Sequence, residues 1–219
     1  MKALGMIEVY SFTTALCVAD VAAKAADVKV IAFDRNRPIR PDVPAPLVMV
    51  VKVEGNVAAV QAAVEAGEEY AKKEGKFIVS HIIANPGDGA EKMAYLLDIN
   101  RDKFNKKLPK SFLNVPDSEI PERAPTAIGF IEIEGLVAAI EGLDAMLKAA
   151  DVRLVHTEKR LGGRLVTLIV SGSVSAVSAA VEAGAKASAP IGKLFGSAVL
   201  ANPHSELTKF FDMDTPNQK

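Results

Sequence analysis

The 219-residue chain has no tryptophan, one cysteine, three histidines and only 5% aromatic residues. A lone cysteine, Cys17, excludes an intramolecular disulfide and a cysteine-built zinc site within one chain, and it fits a reducing, cytoplasmic setting. No apolar run approaches the roughly 18 residues that a membrane-spanning helix needs. The opening segment MKALGMIEVYSF has neither the long apolar stretch nor the small-residue cleavage site of a signal peptide. An excess of either charge is missing too: 26 Lys and Arg face 27 Asp and Glu, a net −1. Neither nucleic acid nor an acidic membrane surface is therefore indicated as a partner, and any basic patch must be local.

What the chain does have is alanine, valine and repetition. Hydrophobic residues make up 49% of it, as expected for a globular protein with a close-packed core of small side chains. The segment ALGMIEVYSFTTALCVADVAAKAADVKVI, from Ala3, aligns without a gap with AIGFIEIEGLVAAIEGLDAMLKAADVRLV, from Ala127, at an offset of 124. Further on, EGNVAAVQAAVEAG (54–67) matches SGSVSAVSAAVEAG (171–184), and ANP (84–86) matches ANP (201–203), at an offset of 117. The difference of seven residues falls in one loop: DRNRPIRPDVPAPLV (34–48) in the first repeat against EKRLGGRLV (158–166) in the second. Such self-similarity identifies a duplication.

Each repeat reads as strand, helix, strand, strand, helix, strand and a short tail helix. In the first, 3–9 is β-rich, 13–26 has apolar spacing compatible with a helix, and VKVIAF and LVMVVKV are β-branched runs. The second helix opens on Asn56 as an N-cap and stops at Gly75; KFIVSHIIA closes the repeat. Ser173 is the matching cap in the second repeat, and GSAVLA its last strand. The predicted fold class is α+β, two tandem ferredoxin-like βαββαβ domains. The expected bounds are 1–98 for the first domain, 99–124 for a charged, proline-punctuated linker and 125–219 for the second.

Catalytic chemistry is not indicated. His81, His156 and His204 fall in different elements without ligand spacing such as HExxH, so no metal site is expected. Cys17 reads as a small core residue of the first helix rather than a nucleophile. RLGGR lacks the spacing of a nucleotide-phosphate cradle. Glu8 and Glu132 occupy equivalent positions; a paired-carboxylate reading exists, but contact with a neighbouring domain or subunit is preferred. No catalytic residue, cofactor or enzymatic activity is expected.

GFIEIEGLVAAIEGLDAMLKAADVRLVHTEKRLGGRLVTLIVSGSVSAVSAAVEAG, followed by ANPH, resembles the bacterial microcompartment shell-protein domain. The resemblance covers essentially all of the second repeat and, less closely, all of the first. Two such domains in unpermuted order are similar to the trimeric tandem-domain shell proteins of the propanediol-utilisation type. The resemblance implies a homotrimer whose six domains form a pseudohexameric disc. It also implies tiling with other shell proteins around encapsulated enzymes in a cytoplasmic microcompartment, and a central pore for small metabolites lined by the loop after the second strand of each domain. The family's disc-edge lysine matches Lys148 in MLKAA and, by the repeat, Lys24 in AAKAA; its PRPH edge motif stands here as ANPG and ANPH, which puts Asn85 and Asn202 at the arginine positions. The short KIGSG-like pore turn is one residue longer in the second repeat and unmatched in the first. Neither loop holds the cysteine that carries an iron–sulfur cluster in some tandem members, so none is expected.

The pore-lining candidates are Arg35, Arg37, Arg40, Arg160, Gly162, Gly163 and Arg164. Glycines allow close backbone approach and offer amide donors, whereas Pro38, Pro41, Pro44 and Pro46 stiffen the long loop. The two loops carry net +1 (34–46) and +2 (158–164), so three copies would focus +9 near one axis. A lining that favours anionic metabolites is the expectation; the alternative is that arginines turn away to pair with Asp34, Asp42 or Glu158. The long loop either plugs such a pore or frames it. The competing function is a regulatory trimer that binds small molecules through basic inter-subunit loops, and behind it an enzyme using the cleft between repeats.

Overall fold

A computed structural model describes residues 2–36, 43–87, 126–158, 162 and 164–211. The first repeat contains β1 (Ala3–Tyr10), α1 (Phe12–Ala25), β2 (Lys29–Asn36), β3 (Val48–Gly55), α2 (Val57–Lys73) and β4 (Phe77–Ile83). The second contains β5 (Ala127–Glu134), α3 (Leu136–Ala149), β6 (Val152–Glu158), β7 (Leu165–Gly172), α4 (Val174–Ser188) and β8 (Leu194–Ala201), then α5 (Ser205–Thr208) and a 3-10 turn, Lys209–Phe211. The sheets run β2-β3-β1-β4 and β6-β7-β5-β8, antiparallel throughout. This is the expected α+β order in both repeats. The expected linker 99–124 lies outside the described residues.

The duplication extends to irregularities of the backbone. The β2–β3 ladder slips between Val30 and Ala32, and β6–β7 between Leu154 and His156, the same places at the offset of 124. The expected caps form: Asn56 and Ser173 accept from the amides of Ala59 and Ala176, satisfying donors that a helix start leaves without internal partners. Gly75 follows α2 with φ 65°.

Alternate strand residues face opposite sides of each sheet. Ile7, Val9, Met49, Val51 and Val53 are buried on the helix side of the first sheet, and Ile131, Ile133, Leu168 and Val170 on that of the second. Gly5 and Gly129 let the second helix of each repeat lie close to its sheet. A Cβ at Gly5 would come within 2.6 Å of Val64, and one at Gly129 within 2.6 Å of Val177 and Val181. Small side chains therefore make each repeat thin.

The opposite face of the second sheet is not left to solvent. Ile128, Phe130, Leu165 and Ile169 join Phe12, Leu16 and Phe33 of the first repeat in one buried cluster. The first repeat thus lays α1 across the back of the second sheet, which fuses the repeats side by side.

Candidate functional site

The junction between β1 and α1 shows how the seam is made. A helix start exposes unpaired amides and the positive end of its dipole. Ser11 supplies no cap to its own helix; its hydroxyl instead donates to Glu132 Oε2 at 2.5 Å, and the Thr13 amide donates to the same oxygen at 3.0 Å. The Phe12 amide lies 3.4 Å from Oε1. Glu132 is fully buried, so a carboxylate of one repeat caps a helix of the other. Ser11 holds a left-handed φ of 78° to do this, a conformation that costs a non-glycine residue energy. The hydroxyls of Thr13 and Thr167 are buried there without a hydrogen-bond partner.

Farther along the seam, Asp20 Oδ1 accepts the His204 amide at 2.8 Å and Lys24 Nζ donates to the Ala201 carbonyl at 3.1 Å. Lys76 Nζ reaches the Phe195 carbonyl at 2.8 Å, and Glu206 accepts the Val30 amide at 2.7 Å. His204 is the N-cap of α5 and His81 is an exposed strand residue. His156 lies 3.6 Å from buried Glu158 and against Phe211. No cluster of three or more metal-ligating side chains forms among the described residues. Cys17 is buried and its thiol is pushed up to about 12 by burial, so it is no nucleophile. Burial likewise raises the Tyr70 hydroxyl.

The expected pore residues divide. Arg37, Arg40, Arg160 and Gly163 lie outside the described residues. Arg35 falls within β2, half-buried and opposite Met49. Its neighbour Asp34 is buried beside Lys52 Nζ at 2.5 Å, so this negative charge of the long loop is matched from within the first sheet. Gly162 (φ 89°) and Arg164 (φ 63°) form the short loop's return, closed by the Leu165 amide on the Gly162 carbonyl at 3.1 Å. The Arg164 carbonyl accepts the Gly135 amide at 2.8 Å, just as Leu47, where the long loop ends, accepts the Ser11 amide at 3.0 Å. Both loops therefore leave the sheets at the end where the first helices begin. The Arg164 side chain is well exposed and only 3.8 Å from Glu134, a pair that water weakens.

Of the expected edge residues, Lys24 donates across the seam to the carbonyl of Ala201, the residue before Asn202. Asn202 is exposed, takes φ 46° and donates its amide to the Thr126 carbonyl at 2.7 Å. Asn85 is exposed, and Lys148 is exposed beside Asp144 at 2.5 Å, a hydrogen bond that raises the lysine's pKa. Sequence reasoning missed Ser11, Gly196 and Val79. The signal lay in the repeat alignment: these are positions where the repeats exchange a small residue for a larger one.

The chain is thus two fused βαββαβ domains, with paired loops at one end and a carboxylate-capped seam between them. The BMC domain model matches residues 3–86 and 127–203, and the chain belongs to that family. Carboxysome assembly protein CcmO of Synechococcus elongatus is 33% identical over 206 residues, 94% of this chain and 67% of that protein. Bacterial microcompartment shell protein PduA of Citrobacter freundii is 48% identical over 83 residues, 38% of this chain and 88% of its own. Shell protein EutM of Salmonella typhimurium is 49% identical over 85 residues, 39% of this chain and 88% of its own. A solved microcompartment protein from Desulfitobacterium hafniense DCB is 24% identical and matches 95% of this chain and 99% of its own at a TM-score of 0.37.

Proposed function

We propose that this chain is a structural tile of a bacterial microcompartment shell: three copies close into a pseudohexameric disc, and the disc's central loops form a metabolite pore. The observation that carries the tile is the seam. One repeat's first helix is seated on the other's sheet, and among the described residues no element covers the matching apolar face of α3 or the first sheet's back around Glu8 and Val79. A donor surface and an acceptor surface on one molecule make a head-to-tail contact, which generates rings when the rotation closes. Family membership and the shell-protein relatives support placement in a shell, alongside other shell proteins and around enzymes. Lys24, Lys148, Asn85 and Asn202 are the proposed tiling edge. The propanediol-utilisation type is the reading offered by unpermuted tandem order; the single-domain matches to PduA and EutM, at 48% and 49%, do not favour one pathway over another.

The pore is proposed to favour anionic metabolites. The net positive charge of both loops, +1 over 34–46 and +2 over 158–164, supports it; Glu134 beside Arg164 works against it. Native mass spectrometry and electron microscopy of the purified chain test the tile: trimers that form sheets, tubes or shells are expected, whereas discrete trimers with a saturable small ligand favour the regulatory reading. Permeation of an anionic and a neutral probe through reconstituted shells tests the pore. A faster anion, slowed by neutralising Arg160 and Arg164 together, is expected; equal rates in both shells exclude charge selection.

A further inference from the structure

We infer that the contact between copies is a second version of the internal seam, keyed by two size exchanges and centred on Glu8; this rests on the head-to-tail reading above. The exposed apolar residues of α3, Leu136, Val137, Ile140 and Leu147, are between 46% and 71% exposed. At the offset of 124 they stand where Phe12, Thr13, Leu16 and Ala23 are 5% exposed or less. All four buried positions belong to α1, the helix laid against the second sheet. The occupant that fits the α3 face is therefore the matching sheet back of another copy, around β1 and β4. Glu8 occupies there the position of Glu132, is only half-buried, and its carboxylate has no hydrogen-bond or ion-pair partner among the described residues. It is placed to accept the amides of Leu136 and Val137 from the next copy, as Glu132 accepts those of Phe12 and Thr13.

The two seams are not interchangeable. Inside the chain, Gly196 lies opposite Glu132 on the neighbouring strand, and a Cβ there would come 3.1 Å from Thr13 Cβ and 3.3 Å from the Ser11 hydroxyl. In the first sheet the residue opposite Glu8 is Val79, 51% exposed. The residue that would face it is Gly135, where α1 has Ser11. A serine against a glycine is thus exchanged for a glycine against a valine. The buried threonines follow suit: Thr13 and Thr167 become Val137 and Val50. Val79 would collide with Ser11 and Thr13 if α1 docked on the first sheet, and α3 on the second sheet would leave a hole and lose the serine's hydrogen bond. Each helix thereby selects its own sheet, so repeats alternate around the ring and identical repeats do not pair.

The test uses the full chain and reads assembly against concentration by analytical ultracentrifugation, with thermal unfolding of each variant as the fold control. Val79→Gly and Gly135→Ser should each raise the concentration for half-assembly at least about 30-fold, the effect of losing a central anchor. The double variant rebuilds the internal arrangement, with the introduced hydroxyl aimed at Glu8, and should recover most of that loss. Adding Glu8→Ala to the double variant should remove the recovery. A wild-type trimer whose single variants assemble normally, or whose double variant is no better than the singles, overturns the key and leaves the trimer standing. A wild-type chain that stays monomeric at tens of micromolar, far above the affinities expected of a specific interface, overturns both.

Discussion

Glu8 and Glu132 sit at the same place in the same strand of two copies of one fold, yet their surroundings are opposite. Glu132 is fully buried and holds the start of a helix from the other repeat. Glu8 is half-buried, with no such helix above it among the described residues. The same contrast runs along the first helices. Cys17, Leu16 and Asp20 are buried, while Glu141, Ile140 and Asp144 face solvent. The comparison teaches that one sheet back and one helix face can be solvent surface or interior, according to whether a neighbour is covalently supplied. Duplication supplies that neighbour once per chain; in the head-to-tail assembly proposed above, a separate molecule supplies it the second time.

The comparison breaks most forcefully at the helix faces. Leu16→Ala, in the core shared by both repeats, should cost about 2–5 kcal/mol in chemical denaturation. Its counterpart Ile140→Ala should change the stability of the dilute monomer by no more than about 0.5 kcal/mol. Equal losses would mean that α3 is covered within the chain. Glu132→Ala comes next: it strips the buried hydroxyl and amides of their acceptor, and should cost about 1–3 kcal/mol, against little for Glu8→Ala measured on the monomer. The smallest effect on stability sharpens the contrast by reactivity. With its thiol pushed up to about 12 by burial, Cys17 stays protonated at pH 8, and thiol reagents should reach it only as fast as the chain unfolds. A Glu141→Cys variant should react at the rate of a free thiol in the monomer, and more slowly once copies assemble.

Much of the fold was legible because the signals are local. Asn56 and Ser173 were readable as caps, since a short polar side chain before an apolar run satisfies a helix start wherever it occurs. The strand order followed from βαββαβ patterning repeated twice. The site was less legible. The edge lysine Lys24 was identifiable by motif, but not that its amine would bridge Asp20 and the Ala201 carbonyl of the other repeat. Arg35, counted with the long loop, belongs to β2, because the strand continues to Asn36 opposite Val48. Ser11 gave no sign of its left-handed backbone except that Gly135 stands at the matching position.

By itself, then, the sequence determined two copies of one α+β plate, their element order, their caps, and a length difference confined to a single loop. Periodicity, capping chemistry and internal alignment each act over a few residues or compare the chain with itself. Only the tertiary structure decided which of two identical carboxylates is buried, which of two matching helices is covered, and which lysine bridges the repeats. Those outcomes depend on the relative placement of surfaces more than 100 residues apart, as the Ser11–Glu132 bond illustrates; the exchanges that mark them, such as Ser11 for Gly135 and Val79 for Gly196, gain meaning only once the two surfaces are brought together.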